Sequence, residues 1–124
     1  MSDHVTIRIP PATAYVGLVR AMASGLAARL DFTYDQIMDL HIAIDEVCSR
    51  LLDTAAAPSA LEFRFGIAEG QLSFEATADG AVREDREFLN PLSRMILEAL
   101  VDRFEVSRPD GTYVVRVEVQ RTAA

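Results

Sequence analysis

Between Thr33 and Thr54, apolar residues recur at steps of three and four: Ile37, Leu40, Ile44, Val47, Cys48 and Leu51. A residue in an α-helix turns by about 100°, so these positions share one stripe, and that stripe must face a core. Asp39, Glu46, Arg50 and Asp53 fall on a face the core does not use. Thr33 is placed to cap the helix, and Asp35 sits in the first turn, where the helix dipole favours an anion.

The remaining segments alternate between two periods. His4 to Ile9 sets Val5, Ile7 and Ile9 against Thr6 and Arg8, a half-buried strand that Pro10-Pro11 ends. From Ala12 to Leu30, the helical spacing of Tyr15, Leu18, Val19, Met22, Leu26 and Leu30 predicts a first helix with these residues inward and Arg20, Ser24 and Arg29 elsewhere. Gly17 and Gly25 each weaken it by about 1 kcal/mol relative to Ala, while permitting close packing. The Asp31-Phe32 link is short, so the two helices should run antiparallel. After the Ala55–Ser59 loop, Leu61, Phe63, Phe65 and Ile67, then Leu72, Phe74 and Ala76, predict a hairpin turning at Glu69-Gly70. Asp79-Gly80 closes its second strand. Ala81 to Asn90 is a charged connection with no sustained period, expected to be solvated and the most mobile part of the chain. Leu92 to Phe104 predicts a third helix, capped by Asn90 with Pro91 in its first position. Phe104–Val106 begins a strand, and Pro109-Asp110-Gly111 turns the chain into a last strand with Tyr113, Val115, Val117 and Val119 on one face. The order β-α-α-β-β-loop-α-β-β predicts an α+β two-layer sandwich, with a mixed, mostly antiparallel sheet and the helices on one face.

Composition narrows the function. With 124 residues, half of them hydrophobic, the expectation is one domain over 1–124. A formal charge of −7, from 19 acidic against 12 basic residues, argues against direct nucleic-acid binding, which needs a basic face. Cys48 is the only cysteine, so a reducing compartment fits best. The N-terminal MSDHVTIRIPP has neither the basic nor the apolar region of a secretion signal, and no stretch approaches eighteen unbroken apolar residues. The expectation is a cytoplasmic protein without a membrane span.

The run Leu40-His41-Ile42-Ala43-Ile44-Asp45-Glu46-Val47-Cys48 in the second helix, and Gly111-Thr112-Tyr113-Val114 before the last strand, add a resemblance to this order of elements. Over nearly the whole chain it resembles the anti-sigma factor and serine-protein-kinase branch of the GHKL, or histidine-kinase-like, ATPase superfamily. The resemblance implies a bacterial regulator that holds a sigma factor inactive and phosphorylates a serine of an anti-anti-sigma protein, using ATP and magnesium. It also implies possible homodimers, and a first helix, here with Arg20, that helps meet the sigma factor. By the same resemblance Glu46 matches a glutamate that acts as base, and Arg50 stands where an asparagine ligates magnesium. Arginine carries only donors and a permanent positive charge, so it cannot coordinate a cation. Asp79 and Gly80 fall at an adenine-reading loop whose Asp-x-Gly-x-Gly pattern is incomplete here, and Thr112 lies at the far wall of the same cleft. Pro91 and Ser93 replace the glycines of a turn that cradles phosphates through free backbone N–H groups.

Each of these residues also has an ordinary structural role. Glu46 and Arg50, four apart, suit a surface ion pair as well as a cleft. Cys48 suits the core better than redox chemistry, and His41 has no second ligand at metal spacing. Asp79-Gly80 suits a turn. The reading favoured is an anti-sigma factor that binds rather than catalyses, with no cofactor needed and its ATP cleft degenerate. The alternative is an active ATP- and magnesium-dependent serine kinase with Glu46 as catalytic base.

Overall fold

A computed structural model describes residues 3–122; the first two and last two residues of the 1–124 span, including the start of the N-terminal reading, lie outside the described residues. The chain runs β1 (Asp3–Ile9), a short 3-10 turn (Thr13–Tyr15), α1 (Val16–Arg29), α2 (Tyr34–Thr54), β2 (Ala55–Ala56), β3 (Leu61–Ala68), β4 (Gln71–Ala78), β5 (Ala81–Val82), α3 (Pro91–Leu100), β6 (Arg103–Ser107) and β7 (Val114–Gln120). The main sheet has the order β1-β3-β4-β7-β6, and β2 pairs with β5 in a separate two-stranded ladder.

The α+β two-layer arrangement is the predicted one, with two differences: Ala55–Ala56 and Ala81–Val82, expected in loops, form the β2–β5 ladder, and the sheet is not mixed. Every ladder is antiparallel, where a mixed sheet was expected. Two helices separate β1 from β3, so the chain re-enters the sheet reversed and the strands pair antiparallel. One helix separates β4 from β6, which gives those two the same direction. They never meet, because β7 is inserted between them and pairs with both.

Between the layers, Phe63, Phe65 and Phe74 form the centre of the sheet's inner face, with ring centroids 5.4–6.2 Å apart. Leu40, Ile44, Val47, Cys48 and Leu51 of α2 are buried over them and Ile37 is partly so, the stripe predicted from spacing. Thr33 caps α2 through Gln36, each side chain meeting the other's backbone N–H. The β3–β4 hairpin turns at Gly70, whose φ of +71° an L side chain would resist.

α1 departs from the prediction. Its buried positions are Val16, Val19, Ala23 and Ala27, while Leu18 is 56% and Tyr15 42% exposed. Size misleads here: a helix that must lie close to its neighbour buries its small residues, and Met22, Leu26 and Leu30 flank that seam only partly covered. α3 is also shorter than predicted, ending at Leu100, because Val101 is already extended and Asp102 engages β7. Its carboxylate accepts the Gln120 N–H at 2.8 Å.

The sheet's other face is uncovered and charged. Arg64, Glu75, Arg116 and Glu105 stand in register across β3, β4, β7 and β6. Arg116 pairs with Glu75, and Arg103 with Glu118 at 3.7 Å in the neighbouring row.

The α1 packing has a direct test. Leu18→Ala should change unfolding free energy by no more than about 0.5 kcal/mol, as for an exposed site. Ala23→Leu should cost about 1–3 kcal/mol by overfilling the α1–α2 seam, both read from urea denaturation.

Candidate functional site

α2 is the middle of three helices, touching α1 on one flank and α3 on the other. Residue spacing sorts its polar side chains between them. Asp45 and His41 point to the α1 flank, where Arg20 donates to the Asp45 carboxylate at 2.5 Å and Ser24 hydrogen-bonds His41 Nε2. Arg20 is therefore engaged within the helical layer, away from the cleft. Cys48, beside that seam, is buried, and burial first, then the Asp45 charge, pushes its thiol up to about 12 against a weaker opposing effect of Arg20.

Glu46, Arg50 and Asp53 face the α3 flank. Arg50 does not pair with Glu46, the surface pair that four-residue spacing suggested. Its side chain, only 13% exposed, reaches away from the helix: Nε donates to the Phe88 carbonyl at 2.5 Å and Nη2 to the Glu87 carbonyl at 2.9 Å, with Asp53 at 3.2 Å. Nε and one terminal nitrogen lie on one edge of the planar guanidinium, which suits two successive carbonyls. Glu46 is half-buried and among the described residues takes no hydrogen-bond or ion-pair partner.

The segment 83–90 that Arg50 grips is solvent-facing over residues 83–87, as predicted for the 81–90 connection, but it is tied down at several points. Its start is tied where the Arg83 N–H donates to the Thr54 carbonyl at 2.7 Å, just beyond the β2–β5 ladder. Arg86 pairs with Asp53, and Glu84 with Arg108 at 2.9 Å, a contact that holds the Glu84 carboxyl below the usual range. Phe88 is 3% exposed, with its ring centroid 5.1 Å from that of Tyr113, over which the Arg108 guanidinium also lies. At its end, Asn90 caps α3: its side chain accepts the Ser93 N–H at 2.7 Å, and the buried Ser93 hydroxyl accepts the Asn90 N–H. Pro91 has no N–H to offer, and the Ser93 and Arg94 N–H groups are both taken by Asn90.

Beneath this segment Gly80 and Thr112 come together, with Leu51, Thr54, Ala78 and Tyr113 as further walls. The space enclosed is about 10 Å³. That volume admits one water at most. Gly80 is needed for the fit, since a Cβ there would lie 2.5 Å from the Ala56 carbonyl oxygen. Asp79, its neighbour, turns the other way. Its carboxylate accepts the Ser59 hydroxyl, the Ser59 N–H at 2.6 Å and the Ala60 N–H at 3.1 Å, with Arg8 at 3.3 Å. These bonds, the Ser59 hydroxyl foremost, lower its pKa to about 2.

Of the candidate residues, the structure thus brings Gly80 and Thr112 to one small cavity and sets Arg50 against the segment above it. It places Glu46 farther along the same helix flank, Asp79 on the 59–60 loop, and Arg20 on the far flank. Sequence reasoning missed Phe88, Tyr113 and Thr54. The signal for Phe88 was present, since Phe88-Leu89 are the only large apolar residues in AVREDREFLN. Among the described residues no cluster of three His, Cys, Asp or Glu could hold a metal ion, and no helix is long and apolar enough to cross a membrane.

Two titrations test these environments. Cys48 should resist thiol-specific labelling at pH 8 in the folded protein and react at once in denaturant; fast native labelling would contradict its burial. Asp79 is ionised in the fold down to about 2, against an ordinary value of 3.8. Its contribution to stability is therefore complete above pH 3.8 and lost as pH falls through about 2, so carboxyl NMR shifts should show Asp79 titrating near 2.

No family model matches the chain. It is 33% identical over 82 residues to the serine-protein kinase RsbW of Bacillus subtilis, an alignment that takes in 64% of this chain and 51% of the relative. The chain thus spans about half the length of that relative. In structure it is similar to the RsbU and RsbW domains of a Mycobacterium tuberculosis protein, with a TM-score of 0.77 at 14% identity, covering 98% of this chain and 33% of that one. It is also similar to the histidine kinase domain of a blue-light activated histidine kinase from Erythrobacter litoralis, with a TM-score of 0.58 at 19% identity over 87% of this chain and 60% of that one. The two-layer fold of the histidine-kinase-like ATPases is therefore the fold of this chain, and an RsbW serine-protein kinase is what its sequence is similar to.

Proposed function

We propose that the chain is a bacterial, cytoplasmic anti-sigma regulatory module with its ATP-binding and kinase chemistry weakened or lost. It sequesters a sigma factor through its surface and yields it when an anti-anti-sigma protein competes. The similarity to RsbW supports the choice of partners. The observation that carries the non-enzymatic part is the closed start of α3, where Pro91 offers no donor and Asn90 takes the Ser93 N–H. Those are the groups the family resemblance assigns to phosphate binding.

Two further features support it. A cavity of about 10 Å³ lies where the resemblance puts a nucleotide, whereas small-molecule sites occupy roughly 300–1,000 Å³. Arg50 presents donors only, at the position the resemblance gives to a magnesium ligand. The residues present do not fit ATP with its metal. A regulator of this kind needs no chemical step. If the two partners use overlapping surfaces, an affinity difference of about 1.4 kcal/mol shifts occupancy tenfold.

An active serine kinase is the alternative, favoured by the name of the B. subtilis relative and by Glu46, which takes no partner among the described residues and lies on the α2 flank that carries Arg50. Calorimetric titration with ATP and magnesium separates the two. The expected result is no saturable binding up to millimolar nucleotide. Micromolar binding with phosphate transfer to a serine of the antagonist would establish the kinase instead. The partner assignment is checked by co-purification with each sigma factor of the source organism, and it fails if none is retained.

A further inference from the structure

The segment 83–90 is the most charged stretch of the chain and yet is tied at nearly every residue. A ligand-gated lid would be held mainly by its ligand. Here the ties are internal: two backbone carbonyls on one guanidinium, a carboxylate shared between Arg50 and Arg86, a buried phenyl ring, and a backbone bond to the end of α2. Among these Arg50 is the least exposed charged contact, and hydrogen bonds from a charged donor are about twice as strong as neutral ones. Removing it would take a charged donor from the part-buried Phe88 carbonyl and from the more exposed Glu87 carbonyl, and with it the side chain that ties both to α2.

We propose that Arg50 is a built-in latch that holds residues 83–90, and with them the first turn of α3, closed against α2 in the absence of any ligand. The segment is then a permanent strap and not a gate. This deepens the proposed function by naming how the regulator would be held in one shape: the exposed Leu92 and Met95 on the turn that follows the strap, each 63% exposed, keep a fixed position whether or not nucleotide is present. A lysine could keep the charge but could not meet two carbonyls from one rigid edge.

Limited trypsin digestion of the full chain reads the latch directly, because Arg83 and Arg86 are cleavage sites within the strap. Cleavage after either residue should be slow in the native protein and rise about tenfold or more in both Arg50→Ala and Arg50→Lys. Hydrogen exchange should rise over the same residues, while amides of β3 and β4 stay protected. If Arg50→Ala loses its fold, as uniform exchange would reveal, Arg50→Lys decides alone. Unchanged cleavage in Arg50→Lys would overturn the latch. So would native cleavage as fast as that of an unstructured peptide, or strap protection that appears only on adding ATP and magnesium. None of these readouts uses a sigma factor, so failure to bind one would sink the proposed function and leave the latch standing.

Discussion

The fold depends on one contact, the seating of the α2 stripe on the three phenylalanines of the sheet. Each large side chain buried there contributes about 1.5–3 kcal/mol before entropy is counted. An exposed ion pair contributes about 0–1 kcal/mol. α2 is thus held in place by its core face, and whatever variation the molecule tolerates must occur along its flanks. Placing Leu40, Ile44, Val47 and Leu51 inward also decides which polar residues meet α1 and which meet α3.

The two flanks use that constraint differently. Toward α1 the seam carries the Arg20–Asp45 and Ser24–His41 rungs, with Ala23 and Ala27 of α1 fully buried. Toward α3 the chain lays its own strap, Phe88 supplying the bulk and Arg50 the polar grip. A cavity that closes to about 10 Å³ follows from this filling. The Asp79 clamp on Ser59 and Ala60 steadies the neighbouring wall, since it fixes the loop against which Gly80 packs.

Much of this was legible in the sequence where one periodicity dominated. The α2 stripe, the β3–β4 hairpin and the Asn90-Pro91 start of α3 all follow from spacing and capping chemistry. α1 was harder because alanine appears on several of its faces, so ranking by size chose Leu18 over Ala23. The candidate site was only partly visible. Spacing put Arg50 near Glu46, but the partner it takes lies 37 and 38 residues away, on carbonyls that no side-chain pattern encodes. Phe88 was hidden by the charges around it, which local composition counts and tertiary pairing removes.

The uncovered sheet face carries a further consequence. Slide β7 by two residues along β4 and Glu75 comes to face Glu118 in place of Arg116; slide it along β6 and Glu105 faces Glu118, or Arg103 faces Arg116. Such a slip would keep Val115, Val117 and Val119 pointing inward, so the core alone would not reject it. The outer charges do, by setting like against like. Solvent-exposed residues that add little to stability thus act as a spelling check on how the strands are aligned.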